Sequence, residues 1–322
     1  MSAVSSRVLR FHEIGEPLEV LREERAEVPD PPTGNVRVRV LATGLNPADW
    51  ELCRGFMPGA LPRGIGYDVA GVVDAVGEGV DRGAARIGDV IFGTADFARQ
   101  PSAGAAEVAI LNNWSPVPAG LDPLRAATLP MVVQTAAWTL EIMDLEPGAT
   151  LLVHGAGGMV GYAAVQIALK RGAKVIATAG PTFTADLEGF GARVTSYGTA
   201  MVDRVRILTD GRDVDFVLDT PRPGPGTLPD LIALAGGDPR RVMTISNHDE
   251  ARALGARVNI DEFRPGLTPL TALLPEYATL AAQGAFRLPI ARSYPFEQWR
   301  DAVRLSLSGN PHGKVVLLPG RP

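Results

Sequence analysis

The run Gly155-Ala156-Gly157-Gly158-Met159-Val160-Gly161 carries the clearest chemistry in the chain. It follows a short apolar segment, Thr150–His154, that reads as a buried strand, and precedes Tyr162–Lys170, which reads as a helix. A strand that feeds a helix through glycines leaves unpaired N–H groups at the helix N-terminus, where a phosphate can sit. Side chains there would block the approach. The spacing is Gly155-x-x-Gly158-x-x-Gly161, or Ala156-x-Gly158-x-x-Gly161, and in a chain with 36 glycines spacing alone decides little. Context decides more. A second strand, Lys174–Thr178, follows the helix, as a dinucleotide-binding unit requires. The competing reading is that these glycines only pack a helix against a sheet.

The end of that second strand bears on the type of dinucleotide. Sites for NAD place Asp or Glu there, on the ribose 2′-hydroxyl. Here the strand runs out as Ala177-Thr178-Ala179-Gly180-Pro181-Thr182, and the first acid is Asp186. Small neutral residues at Thr178 and Gly180 leave room for a 2′-phosphate, so NADPH is expected. Thr220, after the fourth strand of this region, and Ser246-Asn247, after the fifth, stand where such strands line the cofactor crevice.

These residues need a framework, and the patterning supplies two. Up to about Asp122 the chain reads as all-β: Val8–Phe11 and Leu18–Leu21 as strands around a Gly15-Glu16-Pro17 turn, then Val36–Ala42, Tyr67–Val76, Gly88–Gly93 and Glu107–Leu111. Val36–Ala42 alternates strictly, which puts the valines inside and the arginines in water. Short strands with glycine turns suggest a small barrel. Helices are expected over Ala126–Met131 and Thr135–Met143. Beyond them strands (Thr150–His154, Lys174–Thr178, Val194–Ser196, Val214–Asp219, Arg241–Ile245, Arg257–Ile260) alternate with helices (Met159–Lys170, Thr184–Phe190, Met201–Leu208, Leu228–Leu234). That alternation describes a doubly wound parallel sheet. After Phe263 it stops; Leu270–Gln283 and Glu297–Leu307 look helical, and the apolar strand Lys314–Leu318 is expected to return to the first domain. The division is therefore residues 1–125 with 267–322, and 126–266. The prolines between Pro221 and Pro229 suggest a rigid loop.

Composition narrows the function. Lys plus Arg number 31 against 36 Asp plus Glu, a net charge of −5 that suggests neither nucleic acid nor an anionic membrane as partner. One cysteine, Cys53, excludes an intramolecular disulfide and a cysteine-rich metal site. With no apolar leader or membrane-length segment, a cytoplasmic protein is expected.

With these elements placed, the chain resembles the medium-chain dehydrogenase/reductase superfamily, in its zinc-independent NADPH:quinone oxidoreductase branch. The carriers are Ala42–Trp50 (ATGLNPADW), Gly66–Val73 (GYDVAGVV), Gly88–Gly93 (GDVIFG), the His154–Gly161 loop, Val217–Thr220 (VLDT) and Gly313–Leu317 (GKVVL). The resemblance implies an α/β protein with a GroES-like β-barrel domain and a Rossmann domain, the active site in the cleft between them, and a homodimer.

It also implies roles. Asn46 matches an asparagine beside the nicotinamide, whose amide can donate to a substrate oxygen or a ribose hydroxyl; an Asn-Pro turn residue is the alternative. Thr135 matches a threonine touching the nicotinamide, and Tyr197 a tyrosine near the 2′-phosphate. A basic residue often follows the second strand in relatives, but Thr182, Phe183 and Thr184 stand there, and Arg193 is a possible substitute. At the positions of the zinc ligands in zinc-dependent cousins this chain has Asn46, Tyr67 and the Val133–Gln134 neighbourhood, so no zinc is expected. Tyr67 then points into the cleft, to stabilise an enolate or to shape the pocket. Asp49 is read as an N-cap for Trp50–Arg54, Asp68 as structural, Cys53 as buried bulk and His154 as a packed histidine.

Without a Lewis acid, a conjugated carbonyl is an easier hydride acceptor than a simple ketone, because the resulting anion is delocalised. The expected function is reduction of quinones or related α,β-unsaturated carbonyls by direct hydride transfer. An enoyl or 2-alkenal reductase is the enzymatic alternative. A low-turnover NADPH-binding protein with a structural or redox-responsive role is the other.

Overall fold

The computed structural model describes residues 3–81, 83–96, 103–222, 224 and 226–319. Pro223 and Pro225 of the expected proline loop lie outside these, as do residues 97–102; Pro229 sits inside a helix rather than in the loop.

In chain order the first elements are β1 (Val4–Phe11), the one-turn helix α1 (Pro17–Val20) and β2 (Leu21–Val28). Leu18–Leu21 is therefore not a strand as expected. Pro17 sits in the first turn of α1, where its fixed φ suits a helix start, so β2 begins only at Leu21, opposite Phe11. Then follow β3 (Val36–Leu45), α2 (Pro47–Cys53), β4 (Arg63–Gly64), β5 (Asp68–Val76), β6 (Val90–Ala95) and β7 (Val108–Pro116). The alternation of β3 holds for its valines, which are buried, and for Arg39, which is exposed. Arg37 departs from it. It is buried, because Asp74 takes its Nε–H at 2.9 Å.

The two helices expected over Ala126–Met131 and Thr135–Met143 are found as α3 (Pro123–Ala126) and α4 (Pro130–Ile142), the first ending and the second starting earlier than expected. Proline has no N–H to continue the ladder, so Pro130 starts a new helix. The alternating region contains β8 (Thr150–His154), α5 (Met159–Lys170), β9 (Lys174–Thr178), α6 (Pro181–Phe190), β10 (Arg193–Thr195), α7 (Met201–Leu208), β11 (Phe216–Asp219), α8 (Thr227–Leu234), β12 (Val242–Thr244), α9 (His248–Leu254) and β13 (Arg257–Val258). Helix α9 was not foreseen. Its signals are Asp249 and Glu250 in the first turn and Gly255 (φ +73°) closing it. The chain ends with α10 (Leu270–Ala282), β14 (Ile290–Pro295), α11 (Trp299–Leu307) and β15 (Lys314–Leu318). Strand β14 also went unforeseen, because its largely exposed edge position leaves no alternation to read.

Two units result. One comprises Met1–Met131 and Pro269–Pro322. Its main sheet runs β14-β15-β3-β5-β6-β7, and β7 pairs back onto β3, closing a ring of four antiparallel strands. That is the expected barrel, with β15 returning to pair with β3. The unit extends to Met131 because Asp68 Oδ1 accepts the Met131 N–H at 2.7 Å. The other unit, Val132–Thr268, is built on a parallel sheet ordered β10-β9-β8-β11-β12-β13. Its first strand is central, so the order reverses beside β8, where an open α/β sheet binds ligands. Apolar residues of β8, β9, β11 and β12 pack with α7 and α8 into one of its cores. No described helix is long and apolar enough to cross a membrane.

Candidate functional site

Strand β8 ends at His154 and α5 begins at Met159, with Gly158 as its N-cap (φ −78°, ψ 151°) and no side chain capping it. The N–H groups of Met159, Val160 and Gly161 form the first turn and have no acceptor within the helix. The glycines divide by what a Cβ would meet. At Gly155 (φ +77°) it would strike Pro221 at 2.5 Å, and at Gly161 it would strike Gly155 O and Thr220 Oγ1, both at 2.8 Å. Packing demands these two. At Gly157 the nearest atom is on Phe183 at 4.0 Å, and at Gly158 it is Gly155 O at 3.5 Å. Among the described residues nothing requires glycine at either position. What the two keep clear is the space over the helix N-terminus, which fits a diphosphate.

Two threonines brace the loop from neighbouring strands. Thr178, on β9, accepts the Gly155 N–H through Oγ1 (3.0 Å) and the Ala156 N–H through its carbonyl (2.9 Å). Thr220, after β11, shares its one hydroxyl proton between His154 O (2.8 Å) and Gly155 O (3.0 Å). Ala156, Gly161 and Thr178 are buried. The expectation of cofactor contact meets a division: the buried Ala156, Gly161 and Thr178 build the loop, Gly155 and Thr220 brace it while half-buried, and Gly157, Gly158, Met159 and Val160 stay accessible on it.

Past the end of β9 lies a recess of about 450 Å³ lined by Gly180, Thr184, Thr195, Ser196 and Tyr197. Among the described residues no acidic side chain lines it. Tyr197 is 58% exposed, and it also lines a second cavity of about 450 Å³ with His154, Thr199, Met201, Thr227 and Asp230. Arg193 is exposed at the start of β10, away from the turn that carries Tyr197. A cation that sequence reasoning missed serves that turn instead. Arg204 donates Nε to Thr195 Oγ1 (3.1 Å), Nη1 to Thr199 O (2.7 Å) and Nη2 to Ser196 O (2.9 Å). Nothing in the sequence separates Arg204 from a solvated helix arginine.

The remaining crevice residues are placed as follows. Ser246 donates its hydroxyl to Pro221 O. Asn247 is buried as the N-cap of α9, its N–H on Thr244 Oγ1 (3.0 Å) and its amide on Glu250. Both therefore fasten the loops after β11 and β12. Thr135 is half-buried on α4, and its carbonyl accepts the Thr139 hydroxyl at 2.7 Å.

The barrel unit holds the other candidates. Asn46 precedes Pro47 at the start of α2 and is 3% exposed. Lysine only donates and carboxylate only accepts, which fixes the amide: Lys314 Nζ donates to Oδ1 (2.6 Å), while Nδ2 donates to Asp68 Oδ2 (3.0 Å) and Gly44 O (3.1 Å). Both amide hydrogens are committed, so the expected donation from Asn46 to a substrate or ribose is not available in this arrangement. Lys314 also bonds Asp68 Oδ2 at 3.1 Å, with both side chains buried. Its signal was a lysine opening an otherwise apolar strand. Asp49 is not the N-cap. It is the third residue of α2, and its carboxylate accepts the N–H groups of Asn46 and Gly66, each at 2.8 Å. Burial pushes the Asp49 carboxyl up to about 6, and it raises the Asp68 carboxyl against the pull of Lys314. Tyr67 is half-buried immediately before β5, and Cys53 is buried. Among the described residues no group of three or more His, Cys, Asp or Glu is placed to hold a metal.

Residues 32–114 match the alcohol dehydrogenase GroES-like domain family, and residues 190–317 match the family described as zinc-binding dehydrogenase. The chain is 32% identical over 225 residues to quinone oxidoreductase of Rattus norvegicus, covering 66% of this chain and 65% of that protein. It is 37% identical over 192 residues, 58% of this chain, to erythronolide synthase EryA2 of Saccharopolyspora erythraea, of which the match spans 5%. It thus falls short of two thirds of the length of these curated relatives. The solved quinone oxidoreductase of Coxiella burnetii has the same fold, with a TM-score of 0.81 at 23% identity, covering 99% of this chain and 100% of that one. Barrel, parallel sheet, glycine loop and the two family matches together make the chain a member of the medium-chain dehydrogenase/reductase superfamily, similar to quinone oxidoreductases.

Proposed function

We propose that this oxidoreductase is an NADPH-dependent reductase of quinones or related α,β-unsaturated carbonyls. The observation that carries the reading is the pair Gly157–Gly158, which leaves the N-terminus of α5 open although no contact among the described residues asks for glycine there. Bound against it, a reduced nicotinamide dinucleotide would supply the hydride. The first-turn N–H groups of Met159 and Val160 would hold its diphosphate, braced by Thr178 and Thr220. The acid-free recess beside Gly180, Thr184 and Tyr197 supports NADPH over NADH, since an acid reading the 2′-hydroxyl would repel a phosphate. In the barrel, Asn46 keeps its place through Lys314 and Asp68, and Tyr67 carries the hydroxyl that can protonate the delocalised anion. Asn46 and Tyr67, at positions where zinc-dependent cousins carry ligands, support a reaction without metal.

The test is coenzyme oxidation by the purified protein with 1,4-benzoquinone, 9,10-phenanthrenequinone, a crotonyl thioester and a 2-alkenal, alongside elemental analysis. Quinone turnover with NADPH well ahead of NADH is expected, with no stoichiometric zinc. Turnover of the enoyl substrates alone would replace quinones with the enoyl reductase reading. Tight NADPH binding without turnover on the whole panel would overturn the enzymatic reading, and equal use of NADH would overturn the role given to the recess.

A further inference from the structure

The chain between Asn46 and Tyr67, the two site candidates of the barrel unit, leaves from and returns to one tie point. Asp49 accepts the N–H of Asn46 and the N–H of Gly66, the residue before Tyr67, each at 2.8 Å. Out from that tie runs α2, seven residues and so about 10 Å long. Beyond its far end the chain turns through residues 54–62, where three large apolar side chains face solvent: Phe56 (51% exposed), Met57 (43%) and Leu61 (41%). Ile14 (53%) sits against the same turn. A Cβ on Gly55 would lie 3.2 Å from its Cγ2, and the Gly15 N–H donates to Cys53 O at 2.9 Å.

Single exposed apolar residues are ordinary, but four gathered on one turn and its neighbour form a patch, and such patches mark where something binds. The backbone beneath them is held. The Phe56 N–H donates to Glu51 O at 2.9 Å, and the buried Arg63 donates to Met57 O. The charges around the patch select what covers it. Glu13, Glu16 and Glu51 are exposed beside it, and Arg54 is spent on two of them, on Glu16 at 2.8 and 3.0 Å and on Glu51 at 2.9 Å. An acidic rim repels anionic lipid headgroups and the phosphates of a coenzyme A thioester. Two copies meeting patch to patch would bring their glutamates together. A neutral hydrocarbon chain meets neither cost.

We propose that this patch is the subsite for a neutral hydrocarbon tail on the substrate, so that the preferred quinones or enones carry an alkyl or isoprenoid chain. The inference rests on the function proposed above and deepens it. The conjugated carbonyl reacts beside Asn46 and Tyr67, and the chain extends along α2 to Phe56, Met57 and Leu61. With about 10 Å to cover, a bare ring does not reach the patch and a chain of several methylenes does.

The experiment uses the full chain with NADPH and two matched pairs, 1,4-benzoquinone against 2-decyl-1,4-benzoquinone and 2-butenal against 2-dodecenal, each kept below micelle formation. For whichever pair the wild type reduces, kcat/KM is expected to be higher for the tailed member by about tenfold or more. In Phe56→Ser/Met57→Ser, and separately in Leu61→Ser, that ratio is expected to drop to about threefold or less. Ile87→Ser removes another exposed side chain (68%), from the turn between β5 and β6, and should keep the wild-type ratio. All these positions are exposed, and thermal melts should show each variant folded as the wild type is. A tailed-to-tailless ratio near one in the wild type, or the same ratio in the wild type and both patch variants, overturns the subsite while the reductase reading stands. Wild-type binding to quinone-free phosphatidylcholine vesicles that Phe56→Ser/Met57→Ser abolishes would give the patch to a membrane. A dimer split by that variant would give it to a second copy. Either result overturns the assignment. Absence of NADPH oxidation with all four compounds overturns the proposed function and this inference together.

Discussion

Replacing Gly158 with Asp separates ligand space from packing on the glycine loop. Gly158 is an exposed N-cap with ordinary φ, and its Cβ would come no nearer than 3.5 Å to any atom of the described residues outside its chain neighbours. Asp is among the favoured N-cap residues, so Gly158→Asp should change stability by no more than about 0.5 kcal/mol. The carboxylate would face the diphosphate. Two unit charges about 4 Å apart repel by roughly 4 kcal/mol at an effective dielectric of about 20. Side-chain rotation and salt reduce that, which leaves at least about a hundredfold loss of NADPH affinity. Gly161→Ala is the converse. Its Cβ would overlap Gly155 O and Thr220 Oγ1 at 2.8 Å, so it should destabilise by about 1–3 kcal/mol through backbone displacement. Titration calorimetry with NADPH and thermal melts of both variants decide the matter. A Gly158→Asp protein that binds NADPH within a few-fold of wild type refutes the placement of the ligand. One that melts as Gly161→Ala does refutes the division of the glycines.

Three further outcomes are expected. Lys314→Met leaves the Asp68 carboxyl buried without its ammonium and should cost about 3–5 kcal/mol in urea unfolding, with Asp68→Asn in the same chain recovering much of it; a loss under about 1 kcal/mol would mean the pair is not an ion pair. Tyr67→Phe should lower kcat roughly tenfold or more with unchanged NADPH affinity, and wild-type turnover would make Tyr67 wall material. Because His154 is held neutral with a pKa of about 4 against an unfolded value of about 6.5, the unfolded chain takes up its proton first as pH falls, so the stability this group contributes is present above about pH 6.5 and lost toward pH 4. Across that window the wild type should lose about 3 kcal/mol more than His154→Phe, whereas Asp49, whose carboxyl is raised to about 6, acts in both proteins and cancels; parallel curves would refute the buried neutral imidazole.

What could be read along the chain, and what could not, follows from the range of the forces involved. Strand β8, helix α5 and strand β9 were legible to the residue because periodicity and glycine punctuation are local. Arg37 broke the alternation of β3 because its partner Asp74 lies on another strand, and no local pattern reports a cross-strand ion pair. The site shows the same divide. That the loop is open to a ligand could be expected from Gly155–Gly161, but not that Gly155 and Gly161 answer to Pro221 and Thr220 while Gly157 and Gly158 answer to nothing among the described residues. Asn46 was found by its motif, yet its chemistry is set by Lys314, 268 positions away, which takes its carbonyl and leaves the amide hydrogens to Asp68 and Gly44. His154 reads as core because it ends an apolar strand, and it is buried; that it also joins the wall of a cavity depends on α7 and α8 starting beside it. In each case the residue type names a donor or an acceptor, and the long-range partner decides whether that capacity is spent inside the fold or left for a ligand. Unspent capacity is what a search for function should follow, and the first-turn amides of α5, beside Gly157 and Gly158, carry it here.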